Sequence, residues 1–238
     1  MKRSRIILII ICISIPLLWV LGRLTGALQF YNIPTSSMSP TINPGKKIFT
    51  TNLRKPNRYE IIVYKRYADM YGQPDSTGKE SRFCSRVIAT EGDTLVIKKG
   101  YVYINGRMSD DTTKLKFTYT LSPKNFLDLL TLLNIDEASE RFQFDFSYSN
   151  DTCHATLSYQ EYIKSREVIP LHRLVNNYQI SSEGIYKDND WTVDNFGPYI
   201  IPSNHFFVMG DNRHYSQDSR FVGPIPKENY KGVMILKF

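Results

Sequence analysis

The chain opens with a long apolar run and then changes to short segments in which apolar and polar residues alternate. The first run covers residues 6–22 and contains no charged side chain. After residue 45, the short alternating segments are separated by Gly, Pro, Asn and Asp. Alternation with a period of two is typical of strands that bury one face, so the pattern predicts a mainly β fold.

The alternating segments predict the strands of an antiparallel core. Residues 47–67 read as two short strands around a turn at Lys55-Pro56-Asn57, and residues 68–81 as an exposed polar loop. Residues 82–107 read as an antiparallel meander that ends in an Asn105-Gly106 hairpin signal. Strand patterning returns at 199–201, 205–209 and 232–238, so the C-terminal segment is expected to complete the core sheet.

The middle of the chain has a different character and predicts an inserted α+β region. Ser122 followed by Pro123 is typical of a helix start, and apolar residues recur over the next turns. Ser158 and Glu161 have the spacing of a capping box, which predicts a second helix that ends near residue 166. We therefore expect a β-rich core from residues 30–107 and 195–238, with residues 108–194 inserted into it.

The N-terminal run predicts a segment that either targets the chain to a membrane or anchors it there. Basic residues precede it, and Arg23 follows it. A cleaved signal peptide is one interpretation, with Thr25-Gly26-Ala27 as the cleavage site. We favour an uncleaved anchor over residues 1–29, comprising a cytoplasmic tip and one transmembrane helix, because signal peptides seldom carry a charge where Arg23 stands. The preceding positive charges would keep the N-terminus in the cytoplasm and the core outside it.

Charge and cysteine content exclude several classes of function. The net charge is +7, but much of the excess lies at the N-terminal end, and no basic stripe is interleaved with aromatic residues. Nucleic-acid binding is therefore not expected. The three cysteines, Cys12, Cys84 and Cys153, lack metal-ligand spacing and lie in unrelated settings, so neither a metal, a disulfide framework nor a cofactor is predicted.

Two segments are dense in side chains that can do chemistry. Residues 32–45 read NIPTSSMSPTINPG, and residues 210–223 read GDNRHYSQDSRFVG. Together with the N-terminal run, the Arg86-Val87-Ile88 strand and a closing Gly-Pro-Ile-Pro, they resemble the type I signal peptidases. These are membrane-anchored serine proteases that remove leader peptides from exported proteins. The resemblance covers about half of the chain.

The resemblance implies a role for each matching residue. Ser37, directly before the methionine, corresponds to the nucleophile, and Thr35 to a donor for the oxyanion. Such a serine needs a base to remove its proton, and the family uses a buried lysine of depressed pKa. The positions expected to support the site are Ser216, Asp218, Arg220 and Arg86.

The chain departs from this family pattern at the base. The lysine should stand directly before Arg86, where this sequence has Ser85, and a serine hydroxyl cannot act as that base. A milder departure is Gly45-Lys46, where the family has Gly-Asp. His214 could supply the base, and so could Lys98 if the turn at 90–93 closes a simple hairpin that places it opposite Ser85.

Three functional interpretations follow. The first, implied by the resemblance, is a signal peptidase of the bacterial cytoplasmic membrane with exported preproteins as substrates, which would cleave with a substitute base or slowly through its oxyanion site. The second is an inactive relative that would bind signal peptides or a membrane partner. The third is a membrane-anchored binding module whose inserted region would carry the function. Members of the family prefer substrates with small residues at the first and third positions before the cleaved bond.

Overall fold

The computed structural model describes residues 3–67, 80–148, 151–180, 186 and 189–238 of the chain. The helices are α1 (Arg3–Thr25), α2 (Pro123–Leu133), α3 (Glu140–Asp145), α4 (Tyr159–Ser165) and α5 (Ser219–Val222). The strands are β1 (Gln29–Asn32), β2 (Lys47–Thr51), β3 (Ile61–Tyr67), β4 (Glu80–Thr90), β5 (Thr94–Lys98), β6 (Tyr101–Ile104), β7 (Arg107–Met108), β8 (Lys116–Leu121), β9 (Phe146–Tyr148), β10 (Cys153–Ser158), β11 (His172–Arg173), β12 (Phe196–Ile200), β13 (His205–Met209), β14 (Ile225–Pro226) and β15 (Tyr230–Lys237). One-turn 3-10 helices lie at Ser36–Met38, Thr112–Lys114 and Lys227–Asn229.

The described strands form three antiparallel sheets, so the expected mainly β class is confirmed. The main sheet has seven strands in the order β1-β2-β15-β3-β4-β13-β14. A second sheet has the order β12-β5-β6-β7, and a third, inside the inserted region, has the order β11-β8-β10-β9. The core of the main sheet includes Ile62, Val87, Val208 and Val233, each with at most a trace of exposed surface.

Two pairings of the core differ from the sequence prediction. β15 lies between β2 and β3, so these two strands do not form a hairpin with each other. The predicted meander is correct for β5, β6 and β7 and wrong for β4, which belongs to the main sheet. The chain changes sheet at the turn before β5, and two backbone hydrogen bonds hold that turn: Gly92 N donates to Ile201 O, and Ile201 N donates to Asp93 O. Long-range pairing thus takes precedence over the local turn.

The inserted region forms the two helices that its sequence predicts. Ser122 caps α2 by accepting from Asn125 N, and Pro123 starts the helix. The capping box of α4 is present, since Ser158 N donates to Glu161 at 2.9 Å. The short helix α3 and strands β8 and β10 have no counterpart in the sequence prediction. The predicted polar loop at 68–81 lies outside the described residues except for its last two positions, which belong to β4.

The N-terminal apolar run forms helix α1, which has a proline at position 16. Several of its aliphatic side chains are exposed, among them Ile13, Leu18 and Leu24. Within the described part of the chain, no helix combines the length and the apolar character needed to cross a membrane. The transmembrane anchor therefore stays a prediction.

The packing of α2 leads to a matched pair of substitutions. Leu129 is fully buried against the third sheet, whereas Leu127 on the same helix is 59% exposed. We expect Leu129→Ala to lower the free energy of unfolding by about 2–5 kcal/mol, because it leaves a cavity in the core. Leu127→Ala should change it by less than about 0.5 kcal/mol, and chemical denaturation measures both. Equal effects would contradict this packing.

Candidate active site

A buried methionine fixes the turn that carries Ser37. Met38 has no exposed surface and packs with Ile33, Ile42 and Ile48 in one apolar cluster. The 3-10 turn at Ser36–Met38 thus has its third residue held in the core. Met38 and Ile42, four residues apart in the TSSMSPTI segment, are both buried in this apolar cluster.

The backbone of this turn is tied to the loop that follows β13. Asn212 N donates to Ser37 O at 3.0 Å, and Asn212 Nδ2 donates to Ser36 O at 3.2 Å. The loop can approach so closely because residue 210 is glycine. A Cβ at Gly210 would lie 2.6 Å from Ser37 O and 2.3 Å from Ser216 Oγ, which is closer than such atoms pack. Through these hydrogen bonds, the segment at residues 210–212 fixes the backbone of the turn at Ser36–Met38.

Ser37 lines a cavity of about 390 Å³. The predicted residues Thr35, Ser85 and Ser216 line the same cavity, although they are distant in sequence. Thr35 Oγ1 and Ser37 Oγ lie 3.2 Å apart, within hydrogen-bonding distance. The remaining lining residues are Tyr31, Asn32, Ile33, Pro34, Val63, Ser81, Arg82, Phe83, Cys84, Tyr215 and Gln217.

Ser85, where the resemblance implies a lysine, is a largely buried residue that lines this cavity. It lies in β4 opposite Ile62 of β3, and it is 4% exposed. Its Oγ lies 3.3 Å from the hydroxyl of Tyr64, two residues further along β3. Burial raises the pKa of Tyr64 to about 12 and that of the neighbouring Cys84 thiol to about 12, so both groups are protonated at neutral pH.

Asp218 and Arg220 form the expected ion pair. Arg220 donates from Nε and Nη2 to the two carboxylate oxygens of Asp218 at 2.9 and 2.8 Å, and both side chains are almost fully buried. Asp218 also accepts from Gly210 N at 3.0 Å, and Arg220 Nη2 donates to Arg213 O at 2.6 Å. The pair thus fixes both ends of the loop that contains Asn212.

Arg86 connects this loop to the strand that carries Ser85. Its guanidinium donates to both carboxylate oxygens of Asp211, at 2.7 and 2.5 Å. The same carboxylate accepts from Thr41 Oγ1, four residues after Ser37. One carboxylate therefore joins the Ser37 segment, strand β4 and the loop after β13. The supporting role of Arg86 stays a prediction.

The structure does not bring the two substitute bases to the cavity. His214 Nε2 is bonded to Asp194 at 2.9 Å, and its Nδ1 accepts from Thr118 N at 3.4 Å, so both ring nitrogens are engaged. Burial acts to raise the pKa of Asp194, but its hydrogen bonds from His214 and Asn176 N outweigh that effect and lower it. His214 is not among the lining residues.

The predicted pairing of Lys98 with Ser85 is wrong. Lys98 pairs with Tyr101 of β6 in the second sheet, whereas Ser85 pairs with Ile62 in the main sheet. The reason is the change of sheet before β5, which replaces the simple hairpin. The ammonium of Lys98 instead lies over the ring of Tyr103.

Sequence reasoning missed four residues that shape this site. Gly210 and Asn212 belong to the GDNR block, where a glycine followed by loop-forming polar residues could have indicated close backbone contact. Tyr64 carried no such signal, because its proximity to Ser85 depends on the register of β3 and β4. Gln217 also lines the cavity and was not singled out.

Comparisons with known proteins agree with these motifs. The family model described as signal peptidase, peptidase S26 matches residues 4–238. A signal peptidase I from Aquifex aeolicus (strain VF5) is 29% identical over 86% of this chain and 73% of its own length. One from Buchnera aphidicola subsp. Baizongia pistaciae (strain Bp) is 24% identical over 86% of this chain and 67% of its own.

A solved structure also matches. It is a signal peptidase I from Enterococcus faecalis V583, 19% identical, and the match covers 77% of this chain and all of the other with a TM-score of 0.35. The match of the family model spans nearly the whole sequence, including both segments that line the cavity. The chain belongs to the signal peptidase family, peptidase S26.

Proposed function

We propose that this protein is a serine endopeptidase of the signal peptidase I type that removes N-terminal signal peptides from exported preproteins. The observation that carries the proposal is the meeting of Ser37, Thr35, Ser85 and Ser216 around one cavity, although they come from three separate segments. Membership of the peptidase family supports the same activity.

Ser37 is the nucleophile in this proposal. Its Oγ attacks the carbonyl carbon of the scissile peptide bond and forms an acyl-enzyme, which water then hydrolyses. Thr35 Oγ1, 3.2 Å from Ser37 Oγ, is close enough to donate to the negatively charged oxygen that develops during attack. The Ser37 backbone N–H is the second donor, and such donors each contribute roughly 10²–10³-fold to the rate.

The surrounding network positions these groups. Ser216 lies against Gly210 in the loop that binds Ser37 O, and Asp218 with Arg220 holds that loop rigid. Arg86 acts through Asp211 on the segment after Ser37. Asp218, Arg220 and Arg86 are positioning residues, because they bond to the protein itself and do not line the cavity.

The walls of the cavity suit the residues that precede a signal-peptide cleavage site. Ile33, Val63 and Phe83 supply apolar surface beside Ser37. Small side chains at the first and third positions before the cleaved bond would pack against this apolar surface. Exported preproteins are therefore the substrates in this proposal.

Helix α1 is proposed as a single-pass anchor in the bacterial cytoplasmic membrane. Its aliphatic side chains are exposed, for example Ile15 at 62% and Leu18 at 66%, and a cation precedes and follows the apolar run. With the N-terminus in the cytoplasm, the cavity would lie outside it, a short distance from the membrane surface.

Substitution of the nucleophile tests the activity. Cleavage of a purified preprotein by the full chain in detergent should fall by roughly 10³-fold or more in Ser37→Ala, because the attacking oxygen is removed. Ser36→Ala is the matched control, since Ser36 is the adjacent hydroxyl and lines a different cavity. Its rate should stay within a few-fold of the parent. A Ser37→Ala variant that cleaves as fast as the parent would refute the assignment.

Restoring a lysine at position 85 tests the identity of the base position. Ser85→Lys places an amine beside the cavity, and we expect the cleavage rate to rise by roughly 10²–10⁴-fold. The rise should vanish in the double variant with Ser37→Ala. A folded Ser85→Lys protein with an unchanged rate would show that residue 85 is not the position of the base.

Removal of residues 1–25 tests the anchor. The full chain should stay in the membrane pellet after alkaline carbonate extraction, because α1 carries exposed apolar surface, and the truncated protein should move to the supernatant. Fractionation followed by immunoblotting measures both. Release of the full chain by carbonate alone would contradict an integral anchor.

A further inference from the structure

Oxygen atoms dominate the polar lining of the Ser37 cavity. Amides come from Asn32 and Gln217, a guanidinium comes from Arg82, and the hydroxyls come from Tyr31, Thr35, Ser37, Ser81, Ser85, Tyr215 and Ser216. Gln217 Oε1 is buried and accepts no hydrogen bond from the described residues. The cavity therefore offers several acceptors to a ligand that brings its own N–H donors.

No described lining residue can take the proton of Ser37 at neutral pH. The titratable lining residues are Tyr31, Arg82, Cys84 and Tyr215, with no His, Lys, Asp or Glu among the described lining residues. A guanidinium has no lone pair that could accept the proton, burial raises the pKa of the Tyr31 phenol, and burial holds the Cys84 thiol in its protonated form. Arg82 is also paired with Glu80.

We propose that a primary amine binds in this cavity beside Ser85 and acts as the general base for Ser37. The inference rests on the proposed function, and the amine is either a lysine side chain of the substrate or a free amine. A neutral primary amine has two N–H donors, enough for two of the acceptors Ser85, Ser216 and Gln217, and a lone pair for the Ser37 proton.

Charge and size of the cavity suit this ligand. No described carboxylate lines the cavity, and Ile33, Val63 and Phe83 make much of its wall apolar. Such surroundings disfavour the ammonium form, so a bound amine is more easily neutral and competent as a base. The volume of about 390 Å³ lies within the usual range of ligand pockets, roughly 300–1,000 Å³.

Tyr64 prepares Ser85 to receive the amine. The phenol lies 3.3 Å from Ser85 Oγ and keeps its proton, so it can donate to that oxygen. Ser85 Oγ retains a second lone pair that can accept an amine N–H. Tyr64 is thus a positioning residue that acts through Ser85.

The proton balance of the reaction is complete with the amine present. The neutral amine accepts the Ser37 proton as Oγ bonds to the carbonyl carbon. The resulting ammonium gives this proton to the nitrogen of the leaving chain as the peptide bond breaks. The amine then removes a proton from water, which attacks the ester, and returns that proton to Ser37 Oγ on release of the acid product.

The test uses the full chain in detergent and an amine-free phosphate buffer. The substrate is a signal-peptide analogue without lysine and with a blocked N-terminus. Adding ethylamine should raise the cleavage rate in a saturable manner by roughly 10²-fold or more. Trimethylamine, which has no N–H in its neutral form, should raise it far less. In the second arm, analogues with one lysine at successive positions should be cleaved without ethylamine when that lysine reaches the cavity.

Binding is measured separately from activity. In Ser37→Ala, saturation-transfer NMR should detect ethylamine, and Gln217→Leu or Ser85→Ala added to it should weaken the signal. Lys98→Ala is the control that should leave binding unchanged, because Lys98 lies in another sheet. Ser85→Lys should cleave without ethylamine and gain little from it, since its own amine fills the site.

The outcomes separate this inference from the proposed function. Equal cleavage with and without amine, in the absence of substrate lysine, would overturn the amine proposal and leave the peptidase activity standing. Absence of ethylamine binding would also overturn it, whatever the activity. If ethylamine binds but neither ethylamine nor Ser85→Lys produces cleavage, the amine is not a base and the proposed peptidase activity fails as well.

Discussion

The buried ion pair between Asp218 and Arg220 is the interaction on which the site depends. It fixes Gly210 N and Arg213 O, and between these two points Asn212 binds the carbonyls of Ser36 and Ser37. Two charges are costly to bury, but the loss of one partner from such a pair costs about 3–5 kcal/mol because the other is left uncompensated. The position of the candidate nucleophile is thus coupled to a charge pair that does not line the cavity.

The inserted region is connected to the same loop. Lys116 at the start of β8 donates its backbone N–H to Asp211 O and accepts from Arg213 N, and Arg213 forms a bidentate pair with Asp110. Neighbouring charges and the Asp110 bonds raise the pKa of Arg213 despite its burial, so this cation stays charged. The region of residues 108–194 therefore helps to hold the loop at residues 210–213, in addition to forming its own sheet.

Local signals in the sequence predicted local structure well. The Ser122 cap and the Ser158–Glu161 capping box gave the starts of α2 and α4, because these interactions span only a few residues. The motifs also predicted that Ser37, Thr35, Ser85 and Ser216 belong to one site, and all four line the same cavity. Pairing across the sheets could not be read in this way. The turn before β5 is hydrogen-bonded to Ile201, which is distant in sequence, and β5 therefore belongs to the second sheet. As a result, Lys98 pairs within that sheet and does not lie opposite Ser85.

The place of β15 in the main sheet has a consequence for how the molecule is made. This strand lies between β2 and β3, so it supplies the backbone partners that join the strand after the Ser37 segment to the strand that carries Tyr64. A ribosome synthesises both of those strands long before residues 230–237. Until β15 emerges, β2 and β3 have no hydrogen-bonded strand between them, so this part of the main sheet forms only after residues 230–237 have been synthesised.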